Sequence, residues 1–206
     1  MTRLRAETRE QHAETEAIPF SSAILDGVLP RASYAAQLAA LLPVHRALES
    51  AIAGRLHPAY ELVWTDDMLR APLLEADLDD LGVTEDEVRI ARPEAVAMAA
   101  WVEGLAARDP VAILGVLYVL EGSTLGGAVL RHHLASAFGL TDAGLRYYSP
   151  YGNHPKPHWV EFSQRMNAAV TEDGDADRVL AAASETFVRI GHILSALSAP
   201  ISVEAG

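Results

Sequence analysis

Between Pro110 and Gly139 runs a long apolar stretch, and near its middle stands Tyr118-Val-Leu-Glu-Gly-Ser-Thr-Leu-Gly-Gly127. A stretch this apolar must pass through the interior of whatever the chain builds. It reads as helix, yet Gly122, Gly126 and Gly127 fall at spacings of four and one, which puts them on a shared face. Glycine inside a helix costs about 1 kcal/mol relative to alanine. Three on one face call for a kink, for close helix packing, or for a flat object that approaches the backbone. Spacing alone leaves packing and ligand approach both open.

The rest of the chain is also helical in period. Residues 2–17 read as a first helix, capped by Thr2 and ended by Pro19. Residues 31–55 read as a second, opening at Pro30 and bent at Pro43. Over 56–91 the signals are mixed. Thr65-Asp-Asp caps one short helix, Leu73 to Leu81 forms another, and Thr84-Glu-Asp-Glu87 has capping-box form. Pro93 and Pro110 occupy first-turn positions of helices over 92–107 and 110–139. Gly139 to Pro157 is the clearest loop, and residues 157–171 and 176–198 supply the last two helices. No run of period two is long enough for a strand, and there is no repeat or linker. The expectation is all-α, a single domain over 1–206.

Several function classes drop out on composition. The formal net charge of -12 argues against a nucleic-acid or anionic-membrane surface. It leaves room for an anionic small ligand at a local basic patch. There is no cysteine, so disulfides, thiolate metal ligands and a cysteine nucleophile are absent. That fits a reducing compartment. The charged N-terminus lacks the apolar core of a signal peptide. The run from Val111 to Leu120 is about half of what spans a bilayer. A soluble, cytoplasmic protein is expected.

His12 sits on the first helix, with Arg5 seven residues before it and Glu16 four after, all near one face. A metal-bound histidine usually hands its other ring N–H to a carboxylate or carbonyl, and Glu16 is placed for that. Arg5 lies roughly 10 Å along the axis, at about 1.5 Å per residue. An ordinary polar face with a surface histidine has the same spacing. Of the other seven histidines, His45 reads as buried and hydrogen-bonded. His154 and His158 are separated by prolines, which argues against a regular helical metal site. Asp173-Gly-Asp-Ala-Asp177 lacks the sixth-position glycine and twelfth-position glutamate of a calcium loop, so it reads as an acidic helix start.

At these residues the chain resembles the haem oxygenases, most nearly the bacterial branch that supplies biliverdin to bacteriophytochromes. Leu4-Arg-Ala-Glu-Thr-Arg-Glu-Gln-His12-Ala-Glu-Thr-Glu16 is similar to the family's proximal helix, and Tyr118 to Gly127 to its distal helix. Tyr147-Tyr-Ser-Pro-Tyr-Gly152 and Phe162-Ser-Gln-Arg-Met-Asn167 resemble later family segments. The resemblance implies a helical bundle that binds haem b as both substrate and cofactor. It implies His12 as the iron ligand, Glu16 as its orienting partner, and Arg5 against a propionate. Tyr118 and Arg189 join the cofactor-binding set, Arg189 being hard to align. Gly122, Ser123, Gly126 and Gly127 form the catalytic distal set. The implied reaction cleaves haem to biliverdin, CO and Fe(II) with O2. Electrons come from an external donor, a ferredoxin or a flavoprotein reductase, and a bacteriophytochrome is the implied recipient. Ser123 stands where many members carry an aspartate that supports proton delivery, so the proton route is left unassigned.

Three rivals share the scaffold. A haem carrier or sensor is kept in view by Ser123. A non-haem di-iron oxidase would draw on Glu121, Glu185 and His192, but no Glu-x-x-His pair stands on a core helix. A thiaminase-like hydrolase would need the missing cysteine.

Overall fold

Prolines stand at many helix starts, but Thr84 is the one side-chain cap among the described residues; the expected caps Thr2 and Thr65 make no capping hydrogen bond in the computed structural model. It describes residues 1–152 and 154–204, with side chains as far as Ser198. Asn153 and the last two positions of the expected 1–206 domain lie outside the described residues. The helices in chain order are α1 (Thr2–Glu7), α2 (Arg9–Glu16), α3 (Pro19–Leu25), α4 (Arg31–Ala53), α5 (Ala59–Val63) and α6 (Ala71–Leu81). Then follow α7 (Glu85–Arg89), α8 (Arg92–Arg108), α9 (Ile113–Gly122), α10 (Thr124–Phe138), α11 (Pro155–Ala169) and α12 (Asp173–Glu204). Among the described residues no strand forms, and the fold is all-α.

The Thr84 box is realised at both ends. Thr84 Oγ1 accepts from the Glu87 N–H, and Glu87 accepts from the Thr84 N–H at 2.7 Å. Pro43 does not stop α4, which runs unbroken from 31 to 53. Two expected helices are broken instead. The first divides at Thr8, whose hydroxyl is buried and donates back to the Leu4 carbonyl at 2.8 Å. Pro19 does more than end that segment, since it opens α3. The long apolar helix starts with a 3-10 turn over Pro110–Ala112 and divides again at Ser123.

Helix α9 is buried all round, including Ile113, Leu114, Val116 and Leu117. A helix without a polar face belongs at the centre of its bundle. The most extensive pairings are α4 with α8 and α9 with α12. Tyr34, Leu38 and Val44 of α4 are fully buried in the same core, each such side chain contributing about 1.5–3 kcal/mol. Gly115 sets the α9–α12 spacing. A Cβ there would lie 2.1 Å from the Val179 carbonyl oxygen and 2.8 Å from the Ala183 nitrogen. No side chain fits between those two backbones.

The segment from Gly139 to Gly152 is mostly loop, with a 3-10 turn over Arg146–Tyr148, and it is tied down around that turn. Buried Asp77 of α6 accepts from the N–H groups of Arg146 and Tyr147 at 3.0 and 2.8 Å. Asp80 pairs with Arg146 and accepts from the Gly144 N–H. Tyr34 donates to the Gly144 carbonyl, and Tyr148 donates to Gln37 at 2.6 Å.

Gly115→Ala should lower folding stability by about 1–3 kcal/mol, because both facing backbones must move. The denaturation midpoint relative to the wild type reads this directly. An unshifted midpoint would mean that α9 and α12 are not locked at this point.

Candidate functional site

The first candidate surface is carried by α2. His12 and Glu16 are exposed, and the imidazole Nδ1 lies 3.4 Å from a Glu16 oxygen. The ring is held on its other side by an edge-on contact with Phe187 of α12, centroids 5.7 Å apart. Nε2 has no protein partner among the described residues. An imidazole with one nitrogen fixed by a carboxylate and the other bare is in the state that a metal ligand requires.

Arg5 and Tyr118 meet where the first helix breaks. Thr8 and Arg5 lie close enough to the Tyr118 phenol to pull its pKa down. Burial outweighs both and raises the Tyr118 pKa. The ring also packs against Trp159 at 5.8 Å. Tyr118 therefore ties the N-terminal helices to α9, and Arg5 stays exposed beside it.

The distal glycines do not share one role, contrary to the expectation from spacing. The break at Ser123 and the packing of α10 separate them. A Cβ on Gly127 would come 2.9 Å from the Tyr148 carbonyl oxygen, so that glycine is a packing residue. A Cβ on Gly122 would touch the Trp159 ring at 3.4 Å. Only Gly126 faces open space, with nothing within 4 Å, and its neighbours Leu125 and Val129 are exposed apolar side chains. The Arg189 guanidinium is paired through one terminal nitrogen with Glu185 at 2.7 Å and lies over the Trp101 ring, while its buried Nε has no hydrogen-bond partner among the described residues.

Behind the α9–α10 break lies a buried polar network in which the sequence points to a buried His45, to Glu121 as a candidate iron ligand and to the tyrosines of 147–151, but not to Arg70 as their partner. Arg70 and Glu121 are both 3% exposed and pair at 2.9 Å. Arg70 also donates to Tyr151 and to the Asp67 carbonyl, each at 2.8 Å, and Tyr151 donates to Glu121. Burial pushes the Glu121 carboxyl up, while Arg70 and Tyr151 pull it down. Glu49 accepts from the N–H groups of Arg70 and Ala71. His45 Nε2 lies 3.3 Å from the Tyr147 hydroxyl. Burial, with Arg70 nearby, drops the His45 pKa to about 3, so the ring is neutral. Burial pushes the Tyr147 phenol up to about 12, against the downward pull of Arg70 and Ser123. Three tyrosines between 147 and 151 were the available signal, since aromatic density in a polar loop marks docking.

The di-iron alternative does not fit this geometry. Both Glu121 oxygens are engaged by Arg70 and Tyr151, and Glu185 is paired with Arg189. Among the described residues no cluster of His, Asp and Glu is arranged to hold a metal ion.

The fold is similar to that of heme oxygenase-1 from the cyanobacterium Synechocystis, solved with heme. The TM-score is 0.88 at 24% identity, over 99% of this chain and 96% of that one. Heme oxygenase-2 from Synechocystis, solved with heme and NO, gives 0.91 at 21% identity, over 100% and 87%. Heme oxygenase from Leptospira interrogans gives 0.86 at 20%, over 94% and 97%. A comparison with curated proteins finds no match. A family profile described as Heme oxygenase matches residues 1–196. With that match over almost its whole length, the chain belongs to the heme oxygenase family.

Proposed function

We propose that this protein cleaves haem oxidatively to biliverdin, CO and Fe(II), using O2 and electrons from an external donor. The observation that carries the reading is His12, an exposed imidazole with Nδ1 beside Glu16 and Nε2 without a partner among the described residues. The donor set suits haem, one neutral nitrogen being the axial ligand of many haem sites. Gly126 supplies a second fit, because its backbone is bare toward open space beside apolar Leu125 and Val129. A flat apolar ring matches such a surface. When bound, haem supplies both the iron that engages O2 and the carbon that is oxidised.

The chain's own residues then have distinct tasks. His12 would hold the iron, and Glu16 would fix the ring orientation. Arg5 offers a cation to a propionate from a position two turns away. Gly126 would let the distal backbone lie close, with Gly122 keeping the helix end against the Trp159 ring, which constrains the reacting atoms by position rather than by acid strength. Gly127 keeps α10 against Tyr148, and Ser123 supplies the hydroxyl nearest the helix break. Tyr118 supports the site by anchoring α1 and α2. Arg189, whose buried Nε has no hydrogen-bond partner among the described residues, is the further cation offered to a propionate.

The electron donor is proposed to be a ferredoxin or flavoprotein with a basic docking patch, matching a net charge of -12. A cytoplasmic setting and a bacteriophytochrome recipient rest on the absence of cysteine and on the Glu-Gly-Ser-Thr-Leu-Gly-Gly wording. A second reading, haem storage or sensing, draws on one observation. The Ser123 hydroxyl donates to the Leu120 carbonyl at 2.7 Å, so its proton is turned into the helix.

Haemin titration followed by ascorbate in air tests the two readings together. Loss of the Soret band with growth of biliverdin absorption is expected, and a Soret band that persists would favour storage. His12→Ala should remove axial ligation and turnover; an unaltered Soret spectrum in that variant would sink the ligand assignment. Gly126→Leu should fold normally, since nothing crowds the position, yet bind haemin poorly. Normal binding and turnover there would leave Gly126 with no role at the site. Arg5→Glu should weaken haemin binding or change the biliverdin isomer, and chromatography of the product reads the second effect.

A further inference from the structure

Helices α9 and α10 carry one row of positions a turn apart, Tyr118, Gly122 and Gly126. The row continues across the break, because Ser123 keeps helical backbone angles, φ -61° and ψ -23°. One side chain covers its first two positions. The Trp159 ring of α11 lies 5.8 Å from the Tyr118 ring, and its six-membered edge would meet a Cβ on Gly122 at 3.4 and 3.5 Å. At Gly126 nothing stands within 4 Å. The edge of the indole is therefore the boundary between the closed and the open part of the row.

That boundary is well supported. Fully buried Phe162 lies behind Trp159, ring centroids 5.4 Å apart. The preceding residue, His158, stacks on Tyr151 at 3.9 Å and pairs with Asp67 at 3.2 Å. Tyr151 is in turn bonded to the buried Arg70–Glu121 pair. Helix α11 is thus held at its start, and it packs against both α9 and α10. Trp159 itself is only half-buried, with its edge turned on glycine backbone.

A porphyrin is wider than one turn of helix, about 5.4 Å. Laid over Gly126, its rim on the Gly122 side comes up against the indole edge. Resting on the proposed oxygenase reading, we propose that Trp159 is the stop against which the haem rim seats, and hence a specificity-determining residue for the meso carbon that is oxidised. Which of the four meso carbons reacts depends on how the macrocycle is turned and seated beneath the distal backbone, so a fixed wall on one side narrows the choice. Arg5, near the Tyr118 phenol, stands at the same closed end. Its charge draws a propionate toward that end, and the indole limits how far the rim can follow.

Two variants test the stop. Trp159→Phe keeps an aromatic ring beside Tyr118 and Phe162 but withdraws the edge from Gly122, and Trp159→Ala removes the wall. Seating is read without turnover from the haem methyl resonances of the ferric cyanide complex in proton NMR. Both variants should bind haemin with a shifted methyl pattern, the alanine variant further than the phenylalanine one. With ascorbate in air, the biliverdin isomer composition should change in the same order, as read by chromatography. Circular dichroism of the haem-free proteins checks folding, and if Trp159→Ala is unfolded, Trp159→Phe decides.

An unchanged methyl pattern in the folded variants overturns the stop. A moved pattern with an unchanged isomer composition overturns its link to specificity. Loss of haemin binding by folded Trp159→Phe also overturns the proposal, since the indole would then hold the haem rather than place it. A wild-type protein that binds haemin without converting it overturns the oxygenase reading instead, while the methyl pattern still decides whether Trp159 bounds the ring.

Discussion

The buried Arg70–Glu121 pair holds together the segments on which the distal side depends. Arg70 stands at the start of α6, Glu121 at the end of α9, Tyr151 in the long loop, and Glu49 on α4. Two charges removed from water lose solvation worth several kcal/mol each, and only dense hydrogen bonding offsets it. Here the bonding is dense. The guanidinium reaches two carbonyls, a carboxylate and a phenol, while Tyr151 completes the carboxylate. Such a set has one satisfactory arrangement. It fixes where α9 stops and therefore where the chain turns into α10.

Local chemistry was readable in the sequence wherever one element decided it. Pro93 and Pro110 mark first turns, and Thr84 with Glu87 form the box their spacing implies. His12 and Glu16 meet because i and i+4 on a helix always share a face. What escaped the sequence depends on residues far apart. Arg70 and Glu121 are 51 positions apart, and Tyr147 and His45 are 102 apart. No period or motif joins such pairs, and only the packed bundle does. The break at Thr8 escaped for another reason. A threonine inside a helical pattern looks harmless until its hydroxyl turns back on the Leu4 carbonyl.

The glycines show how spacing on an ideal helix can mislead. Gly115 drew no attention, yet it permits the tightest helix contact in the core. Gly126 and Gly127 are adjacent and face different surroundings, one open and one closed by the Tyr148 carbonyl. A packing glycine is explained by what it touches. Gly126 touches nothing, so its cost of about 1 kcal/mol to the helix has no return inside the folded chain. The family's affinity for a planar ligand is the natural place to look for that return.

The division at Ser123 also has a mechanical side. Helix α9 is wedged against α12 at Gly115, so one arm of the apolar stretch is clamped. Helix α10 is the other arm, 15 residues long, or about 22 Å at about 1.5 Å per residue. A tilt of about 5° at the break would sweep its far end through about 2 Å while leaving the clamped arm at rest. The bundle is thus built as a lever with a stiff root. Any such tilt must also move Leu134, which α10 buries in the core, and the contact of Gly127 with the Tyr148 carbonyl.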